Sequence, residues 1–293
     1  MSKFTRLIRF LSSGTVHYGD AILPAGVTDL SQARQARKIV GDVFGEHSVT
    51  ADVLNVEKLL PPLPQSAVPT VRCLGLNYAA HAKESNMPLP QYPILFYKPT
   101  TSLSGHLFPL PIPPIAQTTP EATIDYETEL VIIIGRSGRN IPASQALSHV
   151  LGYTVGNDVS QRTWQIERGG SQWSMGKCYD GWAPFGPGIV TTEVLGDAGD
   201  LRIVSRVNGE VRQDSRTSDM VFGVKETIAF LSQGTTLRKG DVIFLGTPQG
   251  VAMGMKGVKK WLRDGDEVEV ELEGVGKVSN KVVFEKEAVH SKL

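Results

Sequence analysis

The segment Asp125-Tyr126-Glu127-Thr128-Glu129-Leu130 runs directly into Val131-Ile132-Ile133-Ile134-Gly135. No other stretch restricts the fold of this chain so tightly. The β-branched run predicts a buried strand. Side chains alternate along a strand, so Glu127 and Glu129 share a face with Val131 and Ile133. Two carboxylates entering a core side by side repel by roughly 2 kcal/mol at an effective dielectric near 20. Desolvation adds several kcal/mol for each ion. A fold tolerates the pair if a cation lies between them or if one stays protonated.

A divalent ion held by two carboxylates needs further oxygen ligands. Asp158 is the strongest candidate, at the end of Gly152-Tyr153-Thr154-Val155-Gly156-Asn157-Asp158. Glu127, Glu129 and Asp158, with no cysteine or histidine cluster nearby, point to a hard ion, Mg2+ or Mn2+. The alternative is a wet strand face with Asp158 capping a turn. Asp125 falls on the same strand face at its wet end and reads as a turn or supporting residue.

Further pieces flank this one. In Gly75-Leu76-Asn77-Tyr78-Ala79-Ala80-His81-Ala82-Lys83-Glu84, His81 and Glu84 share a helix face. A carboxylate beside an imidazole orients the ring for general-base work through water. A surface helix pair is the plainer reading. In Gln172-Trp173-Ser174-Met175-Gly176-Lys177-Cys178, Lys177 is a candidate for a desolvated cation aimed at developing negative charge, or else a surface lysine. Gly246-Thr247-Pro248-Gln249-Gly250 is a tight loop whose backbone N–H groups can approach a carboxylate.

The whole chain sets bounds. Its 293 residues suit one large domain with a small one beside it. The cluster Leu60-Pro61-Pro62-Leu63-Pro64 marks the boundary, giving a small N-terminal domain over residues 1–65 and a catalytic domain over 66–293. Lys plus Arg and Asp plus Glu each total 30, and no basic block favours a nucleic-acid surface. No apolar stretch is long enough to span a membrane. Cys73 and Cys178 form neither a disulfide framework nor a zinc motif, and no secretory leader is expected. The final Ser291-Lys292-Leu293 reads as a peroxisomal address and predicts an import receptor as partner, with a cytoplasmic location otherwise.

Short strands are expected at residues 5–10 and 15–18, and a helix capped by Asp29 over residues 30–40. Pro109, Pro111, Pro113, Pro114 and Pro120 predict an extended surface loop. Residues 267–273 alternate Glu with apolar residues, a strand with one acidic face. Residues 220–233 carry the one clear helical period of the second half.

Taken in order, these motifs resemble the fumarylacetoacetate hydrolase superfamily from about Val71 to Val283. The shared pieces are G-x-N-Y-x-x-H-x-x-E, D-Y-E-x-E-L, G-Y-T-x-x-N-D-V-S, Q-W-x-x-G-K, V-N-G-E-V-x-Q and G-D-V-I-x-x-G-T-P. The Q-W-x-x-G-K form looks most like the branch containing fumarylacetoacetate hydrolase domain-containing protein 2. The resemblance implies an α+β, mostly β, mixed sandwich or roll, and a homodimer. It implies metal ligands at Glu127, Glu129 and Asp158, a dyad of His81 and Glu84 on a lid, and a charge-stabilising Lys177. It also implies substrate contacts at Tyr78, Arg162, Gln165 and Thr247. Departures lie at Gln161, Cys178, Gly181 and Gln249, around the expected pocket.

The chemistry implied is Mg2+-dependent (or Mn2+-dependent) action on an enolisable 1,3-dicarbonyl or 2-oxo acid. The favoured reaction is hydrolytic C–C cleavage of an acylpyruvate-like substrate, with a metal-held enolate leaving. Oxaloacetate-type tautomerisation or decarboxylation uses the same groups without water attack. A non-catalytic metal-binding dimer is the reading from outside enzymology.

Overall fold

The computed structural model describes residues 3–117 and 121–286. The architecture is α+β and mostly β, as expected. In chain order, the N-terminal strands are β1 (Arg6–Ser12), β2 (Thr15–Ile22), β3 (Gln35–Gly41) and β4 (His47–Asn55). Next come β5 (Val71–Gly75), helix α1 (Ala79–Glu84), β6 (Ile94–Lys98) and β7 (Leu110–Ile112). The middle of the chain supplies β8 (Thr128–Ile134), β9 (Val150–Asn157) and β10 (Ala183–Thr191). The last third adds β11 (Arg202–Val207), β12 (Glu210–Arg216), helix α2 (Val224–Leu231), β13 (Val242–Phe244), β14 (Glu267–Leu272) and β15 (Gly276–Phe284).

The main sheet runs β4-β3-β2-β1-β10-β9-β8-β13-β5-β6. Strand β8 lies between β9 and β13 and is buried on both faces. Val131 and Ile133 pack with Val71, Cys73 and Phe244. Leu130, Ile132 and Ile134 pack with Tyr153, Ile243 and Leu272 on the other side. A strand covered on both faces needs a continuous apolar run, which is why the sequence here does not alternate. The second sheet runs β12-β11-β14-β15-β7. Its Val270, Leu272 and Val278 join the cluster of Tyr153 and Val155, so the two sheets pack face to face. Strand β1 pairs antiparallel with β10, so the N-terminal strands extend the same sheet across residue 65.

The expected strands at residues 5–10 and 15–18 are β1 and β2. The alternating strand is β14, where Val268, Val270 and Leu272 are buried while Arg206 pairs with Glu269 and Glu271. The expected helix over residues 220–233 shortens to α2. The helix expected over residues 30–40 does not form. Asp29 caps only a single turn, Leu30–Gln32, through the Ser31 N–H at 2.9 Å, and β3 follows. Leu30, Ala33, Ala36 and Ile39 are buried at a spacing that mimics a helix. Pairing of β3 with both β2 and β4 overrides that local signal. The proline loop is corrected too. Leu110 and Ile112 are fully buried in β7, which pairs parallel with β15. Pro111 is tolerated because β7 is the edge of its sheet. Pro120 lies outside the described residues. Among the described residues no helix is long and apolar enough to cross a membrane.

Candidate active site

The carboxylates meet where β8 and β9 begin and end at the same level. In this antiparallel pair Thr128 faces Asn157 and Glu129 faces Gly156. Glu127 and Asp158 therefore sit side by side just beyond the ladder. Asp158 N–H donates to the Glu127 carbonyl at 2.9 Å, and the Asn157 side chain accepts from Glu127 N–H at 2.9 Å. Gly156 keeps the space open, since a Cβ there would lie 2.4 Å from the Phe244 ring. Oxygens of Glu127, Glu129 and Asp158 all fall within 4.8 Å of one another, and all three residues are buried.

Three cations are buried around them. Lys177 Nζ donates to Glu127 Oε2 at 3.0 Å, Asp158 Oδ2 at 2.7 Å and Ser160 Oγ at 2.7 Å. Lys98 Nζ donates to Asp158 Oδ1 at 2.5 Å. Arg162 Nη2 lies 2.6 Å from Glu127 Oε1, an ion pair without well-directed hydrogen-bond geometry, and Arg162 Nε donates to Asp125 Oδ2 at 2.9 Å. Asp125 is fully buried, which corrects its placement at a wet strand end. It also accepts N–H bonds from Ala252 and Met253, at 2.7 and 3.0 Å. It fixes Arg162 and the loop after β13 to one point.

Among the described residues Glu129 forms no ion pair. Its Oε2 accepts the Gly246 N–H at 2.6 Å, while its buried Oε1 has no hydrogen-bond partner among those residues. Burial, with Asp158 and Glu127 alongside, pushes the Glu129 carboxyl well above its usual range. Burial would raise Glu127 too, but Lys177 and Arg162 outweigh it and hold that carboxyl down at about 2. Lys177 is held charged: burial opposes its charge, and Asp158 and Glu127 overcome the opposition. The unsatisfied oxygen of Glu129, a residue whose carboxylate lies close to two others, is what a hard oxygen-seeking cation would complete. The residues present fit such an ion.

Without an ion, Glu129 holds a proton above the ordinary carboxylate range; an ion needs the anion. Metal uptake then expels that proton, so affinity rises with pH up to the folded-state pKa of Glu129 and levels above it. Calorimetric titration of Mg2+ in buffers of different ionisation enthalpy should register proton release. An affinity that is flat between about pH 5 and pH 8 would contradict this assignment.

Above the carboxylates lies a cavity of about 810 Å³. Glu127, Lys177, Arg162, Gln165 and Thr247 line its polar side, and His81 and Glu84 face the same space. Its apolar walls include Leu74, Phe96, Ile166, Trp173, Met253 and Met255. His81 and Glu84 lie on α1, as the spacing predicts, with His81 Nδ1 3.1 Å from Glu84 Oε2. A carboxylate only accepts, so Nδ1 carries the proton and Nε2 is left as the basic nitrogen. Glu84 also accepts the Gly250 N–H, at 3.1 Å to Oε1. The glycine loop thus does offer N–H groups to carboxylates, and those carboxylates are the protein's own Glu129 and Glu84. Gly246 must be glycine here: its φ is +84°, and a Cβ would lie 2.8 Å from that of Asn77.

Other expected contacts are placed less directly. Gln165 Oε1 accepts from Arg162 Nη1 at 2.8 Å. The Thr247 hydroxyl donates to the Thr128 carbonyl at 3.0 Å and accepts from Gln213 Nε2 at 2.7 Å, so it is already engaged inside the protein. Tyr78 does not line the cavity; it is fully buried, and its hydroxyl has no hydrogen-bond partner among the described residues. Two residues given no role by sequence reasoning matter to the geometry. Lys98 ends β6 beside Asp158; a lysine sharing a strand face with buried Phe96 was the available signal. Gln213, inside the V-N-G-E-V-x-Q motif, accepts from Thr128 N–H at 3.0 Å and donates to Thr247, tying β8 to the glycine loop.

The chain is similar in sequence and fold to known proteins. Residues 70–283 match the family model described as fumarylacetoacetate (FAA) hydrolase C-terminal. The human protein named oxaloacetate tautomerase FAHD2A, mitochondrial, is 43% identical over 233 residues, which cover 76% of this chain and 72% of that one. Caffeoylpyruvate hydrolase of Neonothopanus nambi is 40% identical over 297 residues, covering 97% of this chain and 95% of that protein. The crystal structure of 2-hydroxyhepta-2,4-diene-1,7-dioate isomerase from Mycobacterium marinum superposes with a TM-score of 0.79 at 33% identity. It covers 97% of this chain and all of that one. The peroxisomal destination expected from Ser291-Lys292-Leu293 does not stand. Human and bovine relatives at 43% identity are named as mitochondrial. The tripeptide itself lies outside the described residues.

Proposed function

The chain belongs to the fumarylacetoacetate hydrolase family, and from that premise we propose that it is a divalent-metal-dependent hydrolase cleaving a carbon–carbon bond of an acylpyruvate-like 2,4-dioxo acid. The observation that carries the proposal is the joining of two chemistries in one cavity. Glu127 and Lys177 line its floor, with Glu129 and Asp158 buried beside Glu127, and the His81–Glu84 pair faces the same space. Hydrolysis needs a base that activates water, and the His81–Glu84 pair is placed to be one. The apolar walls and the volume of about 810 Å³ also suit an acyl group bulkier than the four carbons of oxaloacetate.

Glu127, Glu129 and Asp158 would hold the ion, whose Lewis acidity would polarise the dioxo acid and favour its enolate. Arg162 keeps N–H groups beyond those it gives to Asp125, Glu127 and Gln165, and with Gln165 it binds the substrate carboxylate. His81 Nε2 takes a proton from water while Glu84 holds Nδ1. The water oxygen bonds to the acyl carbonyl carbon. The bond from that carbon to the methylene carbon then breaks, and its electron pair passes into the pyruvate enolate. The proton returns to the methylene carbon, giving pyruvate and a carboxylic acid. All three N–H bonds of Lys177 are donated inside the protein. It stabilises the developing negative charge through space, in a site where burial strengthens that effect.

The relatives named oxaloacetate tautomerases support a second reading, in which the floor of the cavity acts alone. A panel of acylpyruvates and oxaloacetate, assayed with Mg2+ and with chelator, separates the two. Loss of the enol absorbance of an acylpyruvate with stoichiometric pyruvate and acid is expected. Oxaloacetate enol–keto exchange with every acylpyruvate untouched would replace the hydrolytic reading by the tautomerase one.

A further inference from the structure

We infer that Trp173 sets the length of acyl group this cavity accepts, by partitioning it from a groove on the outer side of the same indole. The inference rests on the reading of the cavity as a dioxo-acid site. Trp173 and Phe96 line the main cavity and also a second one of about 330 Å³, whose other walls include Ile94, Leu95, Tyr97 and Gln172. The two rings meet edge to face, with centroids 5.5 Å apart and planes at 67°. Phe96 is the fixed member: it is buried, and Lys177 Nζ lies 4.9 Å from its ring. Trp173 is the movable one. It is partly exposed, and no hydrogen bond among the described residues holds its indole N–H.

Packing alone seats the indole, and Gly75 makes the seat. A Cβ at Gly75 would lie 2.3 Å from Trp173 Cζ3 and 2.5 Å from Cη2. The ring therefore rests against bare backbone at the end of β5. The preceding turn bends sharply, with φ of +57° at Gly170 and +68° at Ser171. An acyl chain growing away from the carboxylate floor along this wall meets the indole. Beyond the indole is a groove lined by Ile94, which shares its strand face with Phe96, to receive it.

The test uses N-alkyl oxamates of increasing chain length, which keep the carboxylate and adjoining carbonyl and cannot be cleaved as dioxo acids. Their affinities are measured by calorimetry with saturating Mg2+, alongside turnover of acylpyruvates of matching length. Trp173→Ala is expected to raise the ratio of long-chain to short-chain affinity by about tenfold or more over the wild type. Gly75→Ala, which displaces the indole without removing it, is expected to change the same ratio. An unchanged ratio in both variants overturns the inference, as does failure of the wild type to bind even the shortest oxamate. A shifted ratio in a protein that cleaves no acylpyruvate would leave the partition standing and remove the hydrolytic assignment.

Discussion

Glu129→Gln is expected to abolish metal binding and turnover while leaving the fold as stable as before or more so. Among the described residues Glu129 has a single hydrogen-bond partner, the Gly246 N–H, and an oxygen with none. A glutamine keeps the acceptor for Gly246 and offers N–H donors to the neighbouring carboxylates. The ion loses a charged ligand, and with it several kcal/mol of transition-state stabilisation, a fall of about a thousandfold or more in rate. Glu127→Ala behaves differently. It removes the carboxylate paired with both Lys177 and Arg162 and leaves buried cations short of a partner, so stability falls by about 3–5 kcal/mol together with activity. Thermal unfolding in chelator and Mg2+ calorimetry on both variants check the contrast. A Glu129→Gln protein that turns over at the normal rate, or that unfolds like the Glu127 variant, would contradict the assignment.

His81→Ala is expected to slow hydrolysis by about 100-fold or more without loss of ion affinity. His81 contacts none of the three carboxylates by hydrogen bond; its bond is to Glu84. Any exchange between keto and enol forms, which depends on the cavity floor, should survive the substitution. The hydrolytic rate constant and the Mg2+ dissociation constant, measured on one preparation, decide the matter. An unaltered rate removes His81 from the mechanism.

These expectations grow from residues legible in the sequence to different degrees. The strand of Leu130 to Ile134 was legible because burial on both faces leaves an unbroken apolar run. That run placed Glu127 and Glu129 in the interior. The partnership with Asp158 was foreseeable only as a list of acids; what joins them is the register of β8 against β9, which no local pattern encodes. The His81–Glu84 pair was visible as a helical spacing. Its support by Gly250 comes from a residue 166 positions away. Lys98 escaped notice for the same reason: at the end of a short strand it looks like a surface lysine until β6 is laid beside β5 at the sheet edge. The misread residues 30–40 show the converse. There an apolar spacing of three belongs to a turn followed by a strand, and only pairing with β2 and β4 reveals it.

The proposed chemistry depends on the three buried carboxylates gathering a hard divalent cation beneath the cavity. Anomalous diffraction from crystals grown in saturating Mn2+ tests it most directly. The account predicts one strong peak within coordination distance of oxygens from Glu127, Glu129 and Asp158 together. A map with no peak among those residues, or with the ion bound elsewhere while Lys177 stays bridged between Glu127 and Asp158, would contradict it.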